Sequence, residues 1–465
     1  MRPRVLLAPA AVVAVGATMA LGASVQAQRV PLARPAVAAQ AGISKIKHII
    51  VIMQENRAFD SYFGTFPGLP PADRLPLGVC IPDPFHGGCV KPFVDHNNAN
   101  TGGPHDDDAY RDDLDGGKMD GFVAEAEESC MPGTACPTDV MGYHVGSDIP
   151  SYWTYAKDFV LNANMYESVH SWSLPSHMYE VSAWSANCAN PQNPMSCTNT
   201  DMPKNRTTTD PIPFAWTDLT WLLHKNKVSW GYYLDHGAQP GSPNGVPTIW
   251  NVLPGFTDVT ADGQSANVQP LGNFFTHAAS GTLPAVSWIS PNSHDSEHPS
   301  ALVSTGQAYV TKIINAVMSS SDWNSSAIFL TWDDWGGFYD HLVPPTADTN
   351  GYGFRVPGLV ISPYAKKGFV DSQSLSFDAY LKFIEDDFLG GARLNPATDG
   401  RRDPRPDVRE NASVLGNLVN DFNFSQTPRP PVILNPCPPT TLVNPSPNPT
   451  CTNSVLLNVK SWGDS

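Results

Sequence analysis

The stretch Ile328-Phe-Leu-Thr-Trp-Asp-Asp-Trp-Gly-Gly-Phe-Tyr-Asp-His341 decides how the rest of the chain reads. Ala327 to Trp332 is apolar and rich in β-branched and aromatic residues, the composition of a buried strand. Its character changes at Asp333 and Asp334, with Gly336 and Gly337 just behind them. Adjacent carboxylates at a strand's C-terminal end repel each other unless a cation or a proton sits between them. In an open α/β sheet that end is also where ligands bind. The stretch therefore reads as half of a metal site, with glycines that let the backbone turn away sharply. The competing reading is a solvated Asp-Asp turn that merely ends a strand.

Outward from this stretch, similar apolar runs recur. Lys47–Met53, Val228–Leu234, Ala285–Ile289 and Val356–Pro363 read as strands. Trp216–Lys225, Ala301–Met318 and Phe377–Phe388 read as helices, the second with Ile313, Ile314 and Val317 on one face. Residues 148–185 read as helix in pieces. Strands alternating with helices indicate an α/β fold with a mostly parallel central sheet covered on both faces. Residues 69–118 and 186–212, rich in Pro, Gly, Asn and Asp, read as long ordered excursions. From about Thr427 the chain becomes Pro-rich and loses periodicity, a tail laid on the domain with its last cysteine pair as a clip.

The totals suit a globular chain of one large α/β domain or two ordinary ones. Hydrophobic residues make up 41% of the 465 and charged residues 15%. A formal net charge of −16 argues against nucleic acid or an anionic membrane surface as the main partner. Met1-Arg-Pro-Arg4, the apolar run Val5–Ala23 and the small residues of Val25-Gln26-Ala27 read as an export signal ending at residue 27. No later stretch is long and apolar enough to span a bilayer, so the mature chain is expected to carry no transmembrane segment. The eight cysteines fall as Cys80/Cys89, Cys130/Cys136, Cys188/Cys197 and Cys437/Cys451. An even count behind a signal peptide reads as disulfides, most simply in sequential pairs, and the spacings do not suit zinc. The expected organisation is a signal peptide (1–27), a leader (28–43), a catalytic domain (44–426) and the tail (427–465).

Glu55-Asn56, Asp235-His236, His294/His298 and Asp333-Asp334 each lie just past a strand, and in a parallel sheet those ends share one edge. Carboxylates, an amide oxygen and imidazoles gathered there suit a hard or borderline divalent cation. A candidate nucleophile lies in Glu167-Ser-Val-His-Ser-Trp-Ser-Leu-Pro-Ser-His-Met-Tyr-Glu180. Ser173 is best placed, because Pro175 suits the first turn of a helix beginning there and the helix N-terminus attracts phosphate. Ser173 or Ser176 as a simple N-cap is the alternative.

Ile-Val-Ile-Met-Gln-Glu-Asn-Arg-Ala-Phe-Asp-Ser-Tyr-Phe-Gly, ending at Gly64, resembles the opening signature of the bacterial phosphoesterase family. That family holds secreted phospholipases C and related acid phosphatases within the alkaline-phosphatase-like superfamily. Gly117–Phe122, Asp148–Trp153, Glu297–Pro299, Thr331–Pro345 and Gly353–Gly358 resemble further family motifs, in family order across roughly residues 45–390. The resemblance implies an alkaline-phosphatase-like three-layer sandwich, one divalent metal and a covalent phospho-enzyme. It implies Glu55, Asn56, Asp333, Asp334 and the nucleophile's oxygen as metal ligands, Ser173 as nucleophile, and His105, His236 and His298 around the phosphoryl group. His341 is expected in a supporting role, and Arg57 to hold Asp60 or bind phosphate. The chain departs from the family in having Ser171-Trp172 before the nucleophile and Ser176-His177 after the proline, which leaves Ser171 and Ser176 as competitors of Ser173.

The expected function is an exported metal-dependent phosphoesterase acting on a phosphate ester or phospholipid through a phosphoserine. The short stretch after the last core helix leans toward a phosphatase or a compact phospholipase C. A non-catalytic binding protein on a degenerate scaffold is the alternative; it would have lost ligands or nucleophile, and candidates for all remain. A sulfatase-like reading fails because Ser173-Leu-Pro175 is followed by Ser176-His177 and not by the needed Arg.

Overall fold

Two strands, β1 (His48–Gln54) and the strand Ser326–Trp332, lie side by side at the centre of an eight-stranded sheet. Both are buried along almost their whole length, which is why each reads as an unbroken apolar run and not as an alternating one. The computed structural model describes residues 42–128, 139–204, 214–235 and 246–447. In chain order the remaining strands are β2 (Val160–Asn162), β3 (Trp230–Leu234), β4 (Val268–Pro270), β5 (Val286–Ser290), then β6 (Ser326–Trp332), β7 (Gly358–Ile361) and β8 (Phe369–Asp371). Their order across the sheet is β4-β3-β5-β1-β6-β7-β2-β8.

Every neighbouring pair is parallel except the two that involve β7. The sequence leads one to expect another parallel strand at Val356–Pro363. The segment between β6 and β7 holds no helix that could carry the chain back across a face, so β7 re-enters from the edge at which β6 leaves. β2, β4 and β8 were not expected; each has three residues, too few to show a period of two.

Side-chain alternation shows the three layers. Phe329 and Trp332 point to opposite faces of β6. Tyr380 of the Asp378–Phe388 helix stacks on Phe329 with ring centroids 5.1 Å apart. Tyr152 of the Pro150–Asp158 helix meets Trp332 edge-on at 5.2 Å. The long helix is Val303–Ser319, and the helix expected from Trp216 starts at Leu219 because Asp218 caps it, its carboxylate accepting from the Thr220 N–H at 2.6 Å.

A second apolar cluster, including Tyr110, Phe122, Trp335, Phe338 and Phe354, fixes the first excursion onto the loop after β6. Trp335 Nε1 donates to Asp113 Oδ2 at 2.9 Å, tying the Asp107–Leu114 helix to that loop. Cys80 pairs with Cys89 and Cys188 with Cys197. The expected pairings of Cys130, Cys136 and Cys451 lie outside the described residues, as does the expected signal peptide. Residues 427–447 run along the domain without helix or strand, with Arg429 N–H bonding to Pro363 O and Leu434 N–H to Asn315 Oδ1. No helix among the described residues is long and apolar enough to cross a membrane.

Candidate active site

Register delivers the first four residues. Gln54 of β1 lies opposite Trp332 of β6, so Glu55-Asn56 and Asp333-Asp334 leave the same sheet edge on adjacent strands. β3 and β5 end at that edge too, with Leu234 opposite Ser290. Asn56 has φ 56°, a left-handed conformation that lets the chain fold back on itself. Its N–H donates to Asp333 Oδ1 at 2.9 Å and its Nδ2 to Asp334 Oδ1 at 2.7 Å. Gly336 and Gly337 have φ 63° and 75°. A Cβ on Gly337 would lie 2.3 Å from the Gly103 Cα, so the two backbones touch where only glycine fits.

Ser173 opens the Ser173–Ser182 helix, whose N-terminus no side chain caps. Its Oγ donates to Asp334 Oδ2 at 3.1 Å and to Glu55 Oε2 at 3.4 Å. Ser171 Oγ instead lies 3.5 Å from the Met202 sulfur, and Ser176 Oγ has no hydrogen-bond partner. Of the three serines in the window, the geometry brings Ser173 to the carboxylates.

His105 and His298 come together with ring centroids 5.7 Å apart, edge to face. Each Nδ1 donates to a backbone carbonyl, His105 to Gly103 O at 2.9 Å and His298 to Pro299 O at 2.6 Å, which leaves both Nε2 atoms for chemistry. Burial holds His105 below the ordinary imidazole range, and the facing His298 adds to this. His236 lies outside the described residues. His294 does not join the site: its side chain is exposed and pairs with Asp295. Arg57 does not hold Asp60. Its guanidinium donates to Asn56 O and the Tyr62 hydroxyl, while Asp60 is held by Arg355 and by His341.

Three residues in the site were not singled out from sequence. His177 Nε2 lies 3.1 Å from Glu55 Oε1 and 3.9 Å from Asp333 Oδ2. Glu180 Oε2 stands 3.7 Å from its other ring nitrogen. Glu167 Oε1 accepts from the Trp335 N–H at 3.0 Å. Ser173, His177 and Glu180 are spaced i, i+4, i+7, one face of a helix, and that spacing was a signal available in the sequence. Glu167 carried none, since its partner lies across the fold.

Glu55, Glu167, Asp333 and Asp334 are fully buried. Among the described residues the ion pairs they make are with His177 alone. Burial, then repulsion from Asp333 and Asp334, pushes Glu55 well above the carboxylate range, and burial with the Asp333 charge does the same to Asp334. Asn56 Oδ1, Asp333 Oδ2 and Glu167 Oε2 are buried without a hydrogen-bond partner. A divalent cation would fit this cluster: it would neutralise the gathered charge and take up the orphaned oxygens of Asn56 and Asp333. Glu55, His177 and Asp333 each offer a ligand atom within 4.8 Å of the others.

The Phosphoesterase family model matches residues 46–389. The chain belongs to the Phosphoesterase family. It is thus a hydrolase of phosphoric esters. Phospholipase C A of Mycobacterium tuberculosis is 28% identical over 436 residues, covering 83% of this chain and 79% of that protein. Non-hemolytic phospholipase C of Burkholderia pseudomallei is 27% identical over 473 residues, covering 85% of this chain and 62% of that protein. Among solved structures, a protein in the alkaline phosphatase superfamily from Vibrio parahaemolyticus aligns over 75% of this chain and 67% of that one. Its identity is 10% and its TM-score 0.34, too distant to add to what the sheet order of this phosphoesterase already shows.

Proposed function

We propose that this phosphoesterase is an exported, metal-dependent enzyme of phospholipase C type that hydrolyses its substrate through phospho-Ser173. The observation that carries the reading is Ser173 itself. A hydroxyl stands at an uncapped helix N-terminus, 3.1 Å from Asp334 Oδ2 and 3.4 Å from Glu55 Oε2, inside a buried acidic cluster. The relatives named phospholipase C support a phospholipid as the substrate class. Export is supported by the N-terminal signal pattern and by two disulfides.

Glu55, Asn56, Asp333, Asp334 and Ser173 Oγ would hold one divalent cation. Bound there, it would supply Lewis-acid stabilisation to the nucleophile's oxygen and to charge growing on the phosphoryl group. The protein's own residues do the rest. Asp334 and Glu55 accept from the Ser173 hydroxyl, which fixes its oxygen and offers its proton an acceptor as the Oγ–P bond forms. The first N–H groups of the Ser173 helix have no intrahelical acceptor and face a phosphoryl oxygen with the positive end of the helix dipole. A protonated imidazole of the His105–His298 pair gives its Nε2 proton to the leaving alkoxide as the P–O ester bond breaks. The same nitrogen, now unprotonated, takes a proton from the water that attacks phosphorus, and as the P–Oγ bond breaks the carboxyl of Asp334 or Glu55 returns to the serine oxygen the proton it took. His236 would complete the set around the phosphoryl group.

The test pairs p-nitrophenyl phosphorylcholine with p-nitrophenyl phosphate, each with and without chelator, for wild type and Ser173→Ala. Chelator-sensitive release from the choline diester that Ser173→Ala loses supports the reading. Release from the monoester alone would make the enzyme a phosphatase, and turnover of neither would move a binding protein ahead.

A further inference from the structure

Ser173, His177 and Glu180 share one helix face, and the two lower residues form a chain that ends at the carboxylate cluster. His177 Nε2 sits 3.1 Å from Glu55 Oε1 and 3.9 Å from Asp333 Oδ2. His177 Nδ1 faces Glu180 Oε2 at 3.7 Å. Asp333 Oδ2, His177 Nδ1 and both Glu180 oxygens have no hydrogen-bond partner although all three side chains are buried. Four polar atoms of one short chain of residues are thus left over at a single place.

We propose that His177 is itself a ligand of the metal, through Nε2, with Glu180 as the carboxylate that orients it. The inference rests on the metal-centre reading above and adds to it a nitrogen donor that the motif comparison did not supply. A carboxylate 3.7 Å from Nδ1 favours the tautomer that carries its proton there, which leaves the Nε2 lone pair for a cation beside Glu55 and Asp333. Histidine ligands of metals ordinarily carry such a partner on their other nitrogen. The spacing also suits one ion. Donors about 2.1 Å from a shared cation can lie at most about 4 Å apart. The 3.1 and 3.9 Å separations fall within that span. With Glu55, Asn56, Asp333, Asp334 and Ser173 Oγ, the imidazole would bring the donor set to six.

The consequence is selectivity. An all-oxygen cage suits Ca²⁺, Mg²⁺ or Mn²⁺, whereas an imidazole shifts preference toward borderline ions such as Fe²⁺ and Zn²⁺; Mn²⁺ serves below as the paramagnetic probe. The competing role is a strut, in which Nε2–H donates to Glu55 and no ligand bond forms.

The two roles separate by pulsed EPR on the full-length protein loaded with Mn²⁺ alone. Ligation predicts strong ¹⁴N coupling of a coordinated imidazole in wild type, its loss in His177→Gln, and its retention in Glu180→Gln. Equilibrium dialysis should show Mn²⁺ affinity falling at least about 10-fold in Glu180→Gln and further in His177→Gln, with Ca²⁺ affinity falling less in both. Mn²⁺ bound in wild type without imidazole coupling, or with coupling unchanged in His177→Gln, overturns the proposal while leaving the metal centre standing. Wild type that binds no Mn²⁺, Zn²⁺ or Ca²⁺ overturns both. If His177→Gln does not fold, wild type without imidazole coupling still overturns the proposal, and a Glu180→Gln protein that keeps its Mn²⁺ affinity does so too.

Discussion

Asp334→Asn should make the chelated protein more stable and the metal-loaded protein less so. Asp334 Oδ1 accepts from Asn56 Nδ2 and the Gly336 N–H at 2.7 and 2.8 Å, and an asparagine oxygen keeps both bonds. The amide nitrogen would take the place of Oδ2, where it can donate to Ser173 Oγ, so no hydrogen bond is lost and no volume changes. What disappears is a buried charge. Burial and the Asp333 carboxylate raise Asp334 well above its ordinary 3.8, so in metal-free protein its charge opposes folding as pH rises above that value. One pKa unit of such a rise is worth ~1.4 kcal/mol. At neutral pH the gain from substitution should therefore be on the order of 1 kcal/mol or more. Each kcal/mol is worth about 2–4 °C of Tm in a domain of 150–250 residues, and less in a larger one. Below pH 3.8 the two proteins should melt together. Metal at about 100 times its Kd adds ~2.7 kcal/mol to wild type, and the variant should lose most of that. The order of Tm values should therefore invert between chelator and added Mn²⁺, with activity abolished in the variant. A chelated variant that melts at or below chelated wild type at neutral pH would refute the account of this cluster as charge held for a cation.

Gly337→Ala should lower both stability and turnover, because its φ of 75° costs an L-residue about 1–2 kcal/mol and its Cβ would strike the Gly103 backbone at 2.3 Å. Unchanged Tm and kcat would mean that the loop after β6 is not held by this contact. Arg355, fully buried, bonds both Asp340 oxygens at 2.9 Å and Asp60 at 3.1 Å. Arg355→Gln strands those carboxylates and should cost about 3–5 kcal/mol in urea unfolding; a change under about 1 kcal/mol would mean that the buried pair is not holding them. Burial pushes Glu410 up to about 7 from 4.5, so its neutral folded form favours the native state fully at pH 4.5 and below. That contribution is lost as pH rises to about 7, a change of about 3 kcal/mol. Glu410→Gln should match wild type at pH 4.5 and exceed its stability by about that amount at pH 8; equal stability at both would refute the shift.

The central sheet was legible because β1 and β6 are covered on both faces, which leaves an unbroken apolar run ending in abrupt polarity. The four residues Glu55, Asn56, Asp333 and Asp334 could be read for the same reason, since strand ends in a parallel sheet share an edge. The direction of β7 could not be read, because direction depends on whether a helix fills the connection, and the strand's own composition is silent on that. The three-residue strands β2, β4 and β8 owe their conformation to pairing partners and not to local pattern. His177 and Glu180 stand at helical spacing from Ser173, but that spacing fits any helix face, and only the packed fold turns this one toward the carboxylates. Glu167 reaches the site only through the backbone of Trp335, a contact no local pattern encodes.

The central claim is the covalent step at Ser173, and its most direct test is to trap the phospho-enzyme. Metal-loaded protein is mixed with p-nitrophenyl phosphorylcholine, quenched in acid at early times, digested and mapped by mass spectrometry. The account predicts a phosphorylcholine ester on Ser173 in the peptide that carries it, formed as fast as nitrophenol is released and absent from Ser173→Ala. Full turnover with no modified peptide, or a label on Ser171, Ser176 or a histidine that survives in Ser173→Ala, would contradict it.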